Sequence, residues 1–214
     1  MTGSDSVTEL TPFQIEVAQR FFAMPESTGF LLAGGAGLLA QHLTNRPTQD
    51  RDLFTRTAAD LPTARDAFEA IARSRGWVVT RIHDGDTFCR LAVTADDALL
   101  IDLALDSPPQ LPPSLTFLGP SFAPEELAAR KVLALFDRAE ARDFADVYQL
   151  GKTFQPTLLV ERAASLDLGF TPELLAQAIT TLSRFRDTDI PIADAELPLL
   201  KAFFVIWTET LKSC

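Results

Sequence analysis

The stretch "FLLAGGAGLLAQHLTNRPTQDRDLFT", residues 30–55, predicts the fold of the first half of the chain. Its apolar start is typical of a strand, the adjacent Gly34 and Gly35 break that strand, and the following "AGLLAQHL" has the residue spacing of a helix. The segment "DRDLFT" is then typical of a second strand. A strand, a turn, a helix and a strand in this order predict an α/β core.

Asp50 and Asp52 stand one residue apart in the second of these strands. Because alternate side chains of a strand point to the same face, the two carboxylates should lie side by side while Arg51 points away. Neighbouring carboxylates repel each other unless a positive group lies between them, and Mg²⁺ shared with substrate phosphates is the common solution. The pair therefore predicts a Mg²⁺ site, with Mn²⁺ as the alternative cation. An isolated D-x-D pair is more often a turn or helix-cap feature, so this interpretation depends on its neighbours.

Two neighbouring features support a phosphate and metal site. The glycine pair before the helix lets backbone N–H groups approach a phosphate closely. Asp102 stands in the apolar segment "ALLIDLAL", where a carboxylate is costly unless it is paired, hydrogen-bonded or metal-bound. Asp102 is therefore either a catalytic carboxylate or the partner of an arginine on a neighbouring strand, Arg81 or Arg90.

The segments after residue 55 predict a helix and a mixed sheet. Residues 60–75 have one apolar helical face, with Asp60 as the N-cap and Gly76 as the stop. Three extended segments follow, separated by the turn-forming "DGD" and "ADD": "WVVTRIH", "TFCRLAVT" and "ALLIDLAL". The sheet is expected to be mixed, with a hairpin at one side.

A proline-rich segment divides the chain. Residues 108–124 hold six of the 14 prolines, which predicts an absence of regular structure and a boundary. The chain after it is predicted to be helical to its end. The predicted domains are a core at residues 1–107, a linker at residues 108–123 and a helical part at residues 124–214.

Composition excludes several classes of protein. The 214 residues are 47% hydrophobic and carry a net charge of −10, which predicts a globular protein that does not coat nucleic acid, so any RNA contact requires a local basic patch. No apolar run reaches the roughly 20 residues that cross a bilayer. Cys89 and Cys214 form no disulfide or metal pattern, which favours a cytoplasmic location. His42 and His83 are too few and too far apart for a zinc site or a Ser-His-Asp triad.

Four segments in order resemble one known family: "GGAGLL", "RPTQDRDLF", "LIDLAL" and "ARKVLALFDRAEARDFADVYQL". Over roughly residues 29–150 the chain is similar to the AbiEii/AbiGii-type nucleotidyltransferases, which include toxins of bacterial toxin–antitoxin systems. The resemblance implies a DNA polymerase β-like core whose active-site cleft is completed by the helical part. One departure is Arg51, which stands where the family has an apolar residue and predicts that the back face of its strand is solvated or paired.

The resemblance also implies roles for individual residues. Asp50 and Asp52 would hold the nucleotide-bound metal, and Asp102 would share a second metal and help to activate the acceptor hydroxyl, as two-metal transfer at an α-phosphate requires. Lys131 would meet the nucleotide phosphates, although most helical lysines are simply solvated. The implied catalytic residues are Asp50, Asp52, Asp102, Lys131 and Asp146, and the implied nucleotide-binding residues are Gly34, Gly35, Arg46, Thr48, Lys131 and Asp143. Arg142 and Asp146 have the spacing of an ordinary i,i+4 pair, which is the alternative interpretation of the last acidic motif.

The predicted function is transfer of a nucleotide from a nucleoside triphosphate to RNA, in particular the 3′ end of tRNA, by a toxin that a separately encoded antitoxin controls. A small-molecule or protein hydroxyl as acceptor, and a catalytically silent binding protein, are the alternatives. A monomer is the default expectation. Basic residues clustered around the cleft would favour RNA; the candidates are Arg46, Arg51, Arg130, Lys131, Arg138 and Arg142.

Overall fold

The computed structural model describes residues 10–48 and 50–212. The chain forms two compact units, Met1–Ala123 and Pro124–Cys214. No helix in the described ranges has the length and apolar character needed to span a bilayer.

The first unit is built on a mixed sheet of seven strands in the order β3-β4-β5-β2-β1-β7-β6. Strand β2 runs parallel to β5, β1 runs parallel to β7, and the remaining neighbours are antiparallel. The predicted mixed sheet with a hairpin, β3–β4, at one edge is confirmed. The elements of this unit are α1 (Pro12–Phe22), β1 (Leu31–Leu32), α2 (Gly34–Ala40), β2 (Asp50–Thr55), α3 (Asp60–Ser74), β3 (Val78–Asp84), β4 (Phe88–Thr94), β5 (Ala98–Leu105), β6 (Ser114–Leu115) and β7 (Pro120–Ser121).

One face of the sheet forms the hydrophobic core with helix α3. Leu53, Leu91 and Ile101 alternate with side chains of the other face and are at most 1% exposed, as are Leu61 and Phe68 of α3. Burial of each such side chain contributes about 1.5–3 kcal/mol. This packing fixes β2, β4 and β5 relative to one another, and the other face of the same strands is left for polar residues.

Three helix ends can be compared with the local signals in the sequence. Helix α1 is not among the predicted elements, although Thr11 and Gln14 form a capping box around Pro12 at its start. The prediction of Asp60 as an N-cap is wrong, because Ala59 takes that place and Asp60 accepts a hydrogen bond from Thr55 at 3.3 Å instead. Gly76 follows the last turn of α3 with a φ of +76°, which confirms it as the stop.

The proline-rich segment is not without regular structure. It contains the two-residue strands β6 and β7, and the Ser121 hydroxyl donates to the Leu32 carbonyl at 2.8 Å. The expectation of no regular structure is therefore wrong at these four residues, because a strand pair this short needs few backbone N–H groups and Pro120 stands at the first position of β7. The domain limits at residues 107 and 123 stay a prediction.

The second unit is helical, as predicted. Its helices are α4 (Pro124–Asp137), α5 (Ala141–Gly151), α6 (Pro156–Leu166), α7 (Pro172–Ile179) and α8 (Leu197–Leu211), with short 3₁₀ turns at Thr180–Arg184 and Asp187–Asp189. Phe204 and Trp207 of α8 are buried in this unit, whereas Val205 and Ile206 are 61% and 65% exposed. Helix α8 therefore packs into the core of this unit with one of its faces only.

Candidate active site

Strand β2 places Asp50 and Asp52 on one face of the sheet, as the alternation of its side chains requires. Burial alternates along the strand, so that both aspartates are half-buried while Arg51 between them is buried. Asp52 pairs in register with Asp102 of the parallel strand β5. Paired residues of neighbouring strands project to the same face, so the sheet brings Asp102 directly beside Asp52.

Gly34 lies against the carboxylate of Asp52. A Cβ at Gly34 would overlap Asp52 Oδ2 and lie 2.6 Å from Cγ of that carboxylate, and the backbone there has a φ of +58°. The chain is held at this point by the Ala33 N–H, which donates to the Asp52 carbonyl at 2.8 Å. Only glycine meets both requirements, because it has no Cβ and adopts positive φ readily.

Gly35 makes a similar approach to the segment that precedes β2. A Cβ at Gly35 would lie 2.9 Å from Thr48 Oγ1 and 3.4 Å from Arg46 Nη2. The structure therefore brings Gly34, Gly35, Arg46, Thr48 and Asp52 together, although they span 19 positions of the sequence. Helix α2 begins at this point without a side-chain cap from the described residues. Its first N–H groups have no acceptor within the helix, which suits a bound anion.

Asp102 is 6% exposed and is bound by Arg90 of the neighbouring strand β4. Arg90 Nε donates to Asp102 Oδ1 at 2.7 Å, and Arg90 Nη2 donates to Asp102 Oδ2 at 2.5 Å. These hydrogen bonds raise the pKa of the Arg90 guanidinium, and the charges of Asp102, Asp50 and Asp52 raise it further. Of the two arginines considered for Asp102, the structure selects Arg90.

The back face of β2 holds a buried arginine. Arg51 is 1% exposed, and its Nη1 donates to the Asp50 carbonyl at 2.9 Å. Its Nε and Nη2 have no hydrogen-bond partner among the described residues. Burial lowers the pKa of Arg51 to about 10, although the charges of Asp52 and Asp50 oppose this shift. The expectation that this face is partly solvated or paired is met only in its second half, since the face is not solvated and Arg51 is paired through Nη1. Arg51 remains a cation at neutral pH behind the two aspartates.

The donor set of the first unit fits one hard cation. Asp50 and Asp52 offer carboxylate oxygens, which Mg²⁺ prefers. Within residues 10–48 and 50–212, no group of three or more His, Cys, Asp or Glu side chains is arranged to hold a metal ion. Because Arg90 occupies both oxygens of Asp102, the aspartates of β2 are the residues that would hold the cation in this arrangement.

In the second unit, Lys131, Asp143 and Asp146 of the segment "ARKVLALFDRAEARDFADVYQL" are all buried. Lys131 of α4 binds Asp146 of α5 at 2.8 Å, with side-chain exposures of 8% and 0%. Arg138 forms a forked pair with Asp143, with both N–O distances at 2.9 Å, and the Glu140 N–H also donates to Asp143. Lys131 is therefore not a solvated helix lysine, and that alternative is wrong. The Lys131–Asp146 pair joins α4 to α5, and the Arg138–Asp143 pair joins the turn after α4 to α5.

Replacing Lys131 with methionine is expected to lower the free energy of unfolding by roughly 3 kcal/mol, because it leaves the charge of Asp146 buried without its counter-ion. Urea unfolding followed by circular dichroism measures this. The double variant K131M/D146M removes both charges and should regain part of the loss. A K131M protein as stable as the wild type would contradict the structural role of this pair.

Arg90 is the functional candidate that sequence analysis named only as a partner of Asp102. The sequence feature that points to Arg90 is its charge inside the otherwise apolar strand segment "TFCRLAVT". Arg81 on the edge strand gave the same signal, but it binds Glu69, Asp66 and Asp84 outside the site. The strand register separates the two arginines, and register depends on tertiary packing.

Two solved structures share this fold over almost the whole chain. JHP933 from Helicobacter pylori is 18% identical with a TM-score of 0.56, and the match covers 95% of each chain. MenT4, a nucleotidyltransferase toxin from Mycobacterium tuberculosis H37Rv, is 19% identical with a TM-score of 0.63, and the match covers 91% of this chain and 82% of that one. No curated protein sequence matches this chain. At these identities the likeness establishes the fold.

A family profile defines the class of protein, a nucleotidyltransferase. The sequence profile described as "Nucleotidyl transferase AbiEii toxin, Type IV TA system" matches residues 18–206. The chain belongs to this family and is thus a nucleotidyltransferase toxin of a type IV toxin–antitoxin system. The predicted fold, a nucleotidyltransferase core with a mixed sheet followed by a helical part, is confirmed. The family implies a nucleoside triphosphate substrate, a divalent metal and an antitoxin as partner.

Proposed function

We propose that this toxin acts in the cytoplasm, where it transfers a nucleotide from a nucleoside triphosphate to the 3′ end of tRNA in a Mg²⁺-dependent reaction. The observation that carries the proposal is the position of Asp50 and Asp52 on one face of β2, with the backbone of Gly34 packed against Asp52. This arrangement supplies carboxylates for a cation and backbone N–H groups for phosphates at the same place.

The residues of the first unit would divide the reaction among them. Asp50 and Asp52 would hold Mg²⁺, which when bound stabilises the negative charge on the phosphate groups during transfer. The backbone at Gly34 and Gly35 would bind and orient the triphosphate. The acceptor hydroxyl oxygen forms a bond to the α-phosphorus while the bond to the bridging oxygen breaks and pyrophosphate leaves. Asp102, which pairs in register with Asp52, would accept the proton of that hydroxyl once Arg90 no longer holds both of its oxygens.

The residues beside the glycine pair and those of the helical unit have supporting roles in this proposal. Arg46 and Thr48 would donate to phosphate oxygens, since both lie against Gly35. Lys131 would neutralise the triphosphate, as the family resemblance implies, with Asp146 holding its ammonium group in one place. Asp143 would act through Arg138, which it binds at both carboxylate oxygens. Because Lys131 already has a counter-ion, a phosphate would have to compete with Asp146 for it.

The family resemblance supports tRNA as the acceptor. The burial and pairing of the described basic residues instead favour a second candidate. Arg51 and Lys131 are buried, and Arg130 and Arg142 are bound to Glu126 and Glu140 at 3.0 and 2.8 Å. Paired or buried cations neutralise few RNA phosphates, and the net charge is −10. A small-molecule or protein hydroxyl is therefore the second candidate acceptor.

The test is incubation of the purified chain and Mg²⁺ with each of four labelled nucleoside triphosphates and total bacterial tRNA. We expect label on tRNA from a preferred nucleotide, and none from the D52N variant. Label on protein or on small molecules of a lysate, with tRNA unlabelled, would replace the tRNA acceptor by the second candidate. Absence of labelling in all acceptors with folded protein would favour a catalytically silent binding protein.

A further inference from the structure

We propose that Arg90 is a positioning residue that competes with the divalent cation for Asp102. The inference deepens the proposed function and rests on its cation site at Asp50 and Asp52. Arg90 thereby weakens the binding of a cation by Asp102, and a cation binds Asp102 more tightly when the guanidinium moves away.

The strand register places the three residues in one row. Arg90 of β4 pairs with Asp102 of β5, and Asp102 pairs with Asp52 of β2. All three side chains belong to the face of the sheet opposite the hydrophobic core. Asp102 thus lies between the Arg90 guanidinium on one side and the proposed cation site on the other, and either can neutralise it.

The fork geometry sets the guanidinium and a cation in competition for the charge of Asp102. Arg90 uses two nitrogens on the two oxygens of Asp102, at 2.7 and 2.5 Å, so that neither oxygen is left without a strong donor. Forked pairs between charged groups are among the strongest hydrogen bonds in proteins. A cation bound at Asp102 would lie beside the guanidinium, and because the two like charges repel each other, each weakens the hold of the carboxylate on the other.

Exposure decides which partner moves. The side chain of Asp102 is 8% exposed and stands in a central strand, whereas the side chain of Arg90 is 40% exposed. Moving the guanidinium into water restores its hydration, whereas the carboxylate sits on a short side chain of a strand that is paired on both sides and has little access to water. The guanidinium also lies 5.6 Å from the Phe88 ring centre, a contact that holds it beside the strand when it is bound. Arg90 is therefore the mobile partner and Asp102 the fixed one.

Direct titration of the full chain with Mn²⁺, without nucleotide or acceptor, tests the proposal. Isothermal titration of the R90M variant should show about tenfold tighter Mn²⁺ binding than the wild type, since one strong charge-assisted fork no longer competes. R90K keeps the positive charge but cannot occupy both oxygens, and it should bind Mn²⁺ several-fold more tightly than the wild type. The double variant R90K/D102N should return to the wild-type affinity.

The R81M variant is the matched control. Arg81 is an arginine on the neighbouring strand with its own carboxylate partners, Glu69 and Asp84, and its removal should leave Mn²⁺ affinity unchanged. Circular dichroism confirms that each variant is folded, and R90K secures the test if R90M fails to fold.

The titration separates this proposal from the function on which it depends. Equal Mn²⁺ affinity of the wild type, R90K and R90M would overturn the role of Arg90. Loss of Mn²⁺ binding in D52N within the same series would still support the proposed cation site. Mn²⁺ bound equally by D52N and the wild type would overturn that site itself.

Discussion

Replacing Asp52 with asparagine is expected to reduce nucleotidyl transfer by about 10³-fold, because it removes a charge on which the stabilisation of the transferring phosphate depends. Asparagine keeps the shape of the side chain, so the contact with Gly34 and the pairing of β2 with β5 should persist. The rate of label incorporation from the preferred nucleoside triphosphate at saturating Mg²⁺ measures the effect.

Asp86 provides the matched control for this substitution. It is an exposed carboxylate in the turn between β3 and β4, outside the proposed site, and D86N should transfer nucleotide at the wild-type rate. A D52N protein that is folded and retains more than about a tenth of the wild-type rate would exclude Asp52 as a metal ligand, because ligand loss costs far more than tenfold.

The local part of the candidate site could be predicted from the sequence. The two-residue period of a strand places Asp50 and Asp52 on one face whatever the strand packs against. The glycine pair likewise predicts a close approach of the backbone, and the structure shows that the group approached is Asp52 itself. These features depend on residues within a short stretch of chain, where geometry is fixed by covalent structure and sterics.

The pairing of distant residues could not be predicted in this way. Asp102 belongs to the site because β5 pairs in parallel with β2 in one register, and the hydrophobic core sets that register. Lys131 and Asp146 meet between two helices rather than along one, so no i,i+4 rule reveals them. Arg51 is buried although arginine is rarely found fully buried, and only tertiary packing makes this visible.

Each unit contains an ion pair between a basic side chain and a buried carboxylate. Arg90 with Asp102, and Lys131 with Asp146, are cations held by buried carboxylates in the two motifs that the family resemblance assigns to catalysis. A buried ion pair is weak evidence for stability, since desolvation offsets much of the attraction. Such pairs keep charged side chains in defined positions, and an incoming phosphate or cation has to compete with the partner that is already bound.

Replacing Gly34 with alanine is expected to reduce nucleotidyl transfer by about 10²-fold, because the new methyl group would displace the Asp52 carboxylate by about 1 Å or more. The Cβ would lie 2.6 Å from Asp52 Cγ, a distance that non-bonded carbon atoms do not tolerate. The backbone also has a φ of +58°, which disfavours any residue with a side chain. Together the clash and the backbone strain should lower the free energy of unfolding by about 3 kcal/mol.

Gly76→Ala separates these two causes. Gly76 also has a positive φ, +76°, but a Cβ there would meet no heavy atom of the described residues within 4 Å. G76A should therefore lose about 1 kcal/mol of stability from backbone strain alone and keep the full transfer rate. Urea unfolding and the labelling assay on both variants give the comparison. If G34A transferred nucleotide as fast as G76A, the position of the Asp52 carboxylate against the glycine pair would be irrelevant to catalysis, and the proposed site would have to lie elsewhere on the sheet.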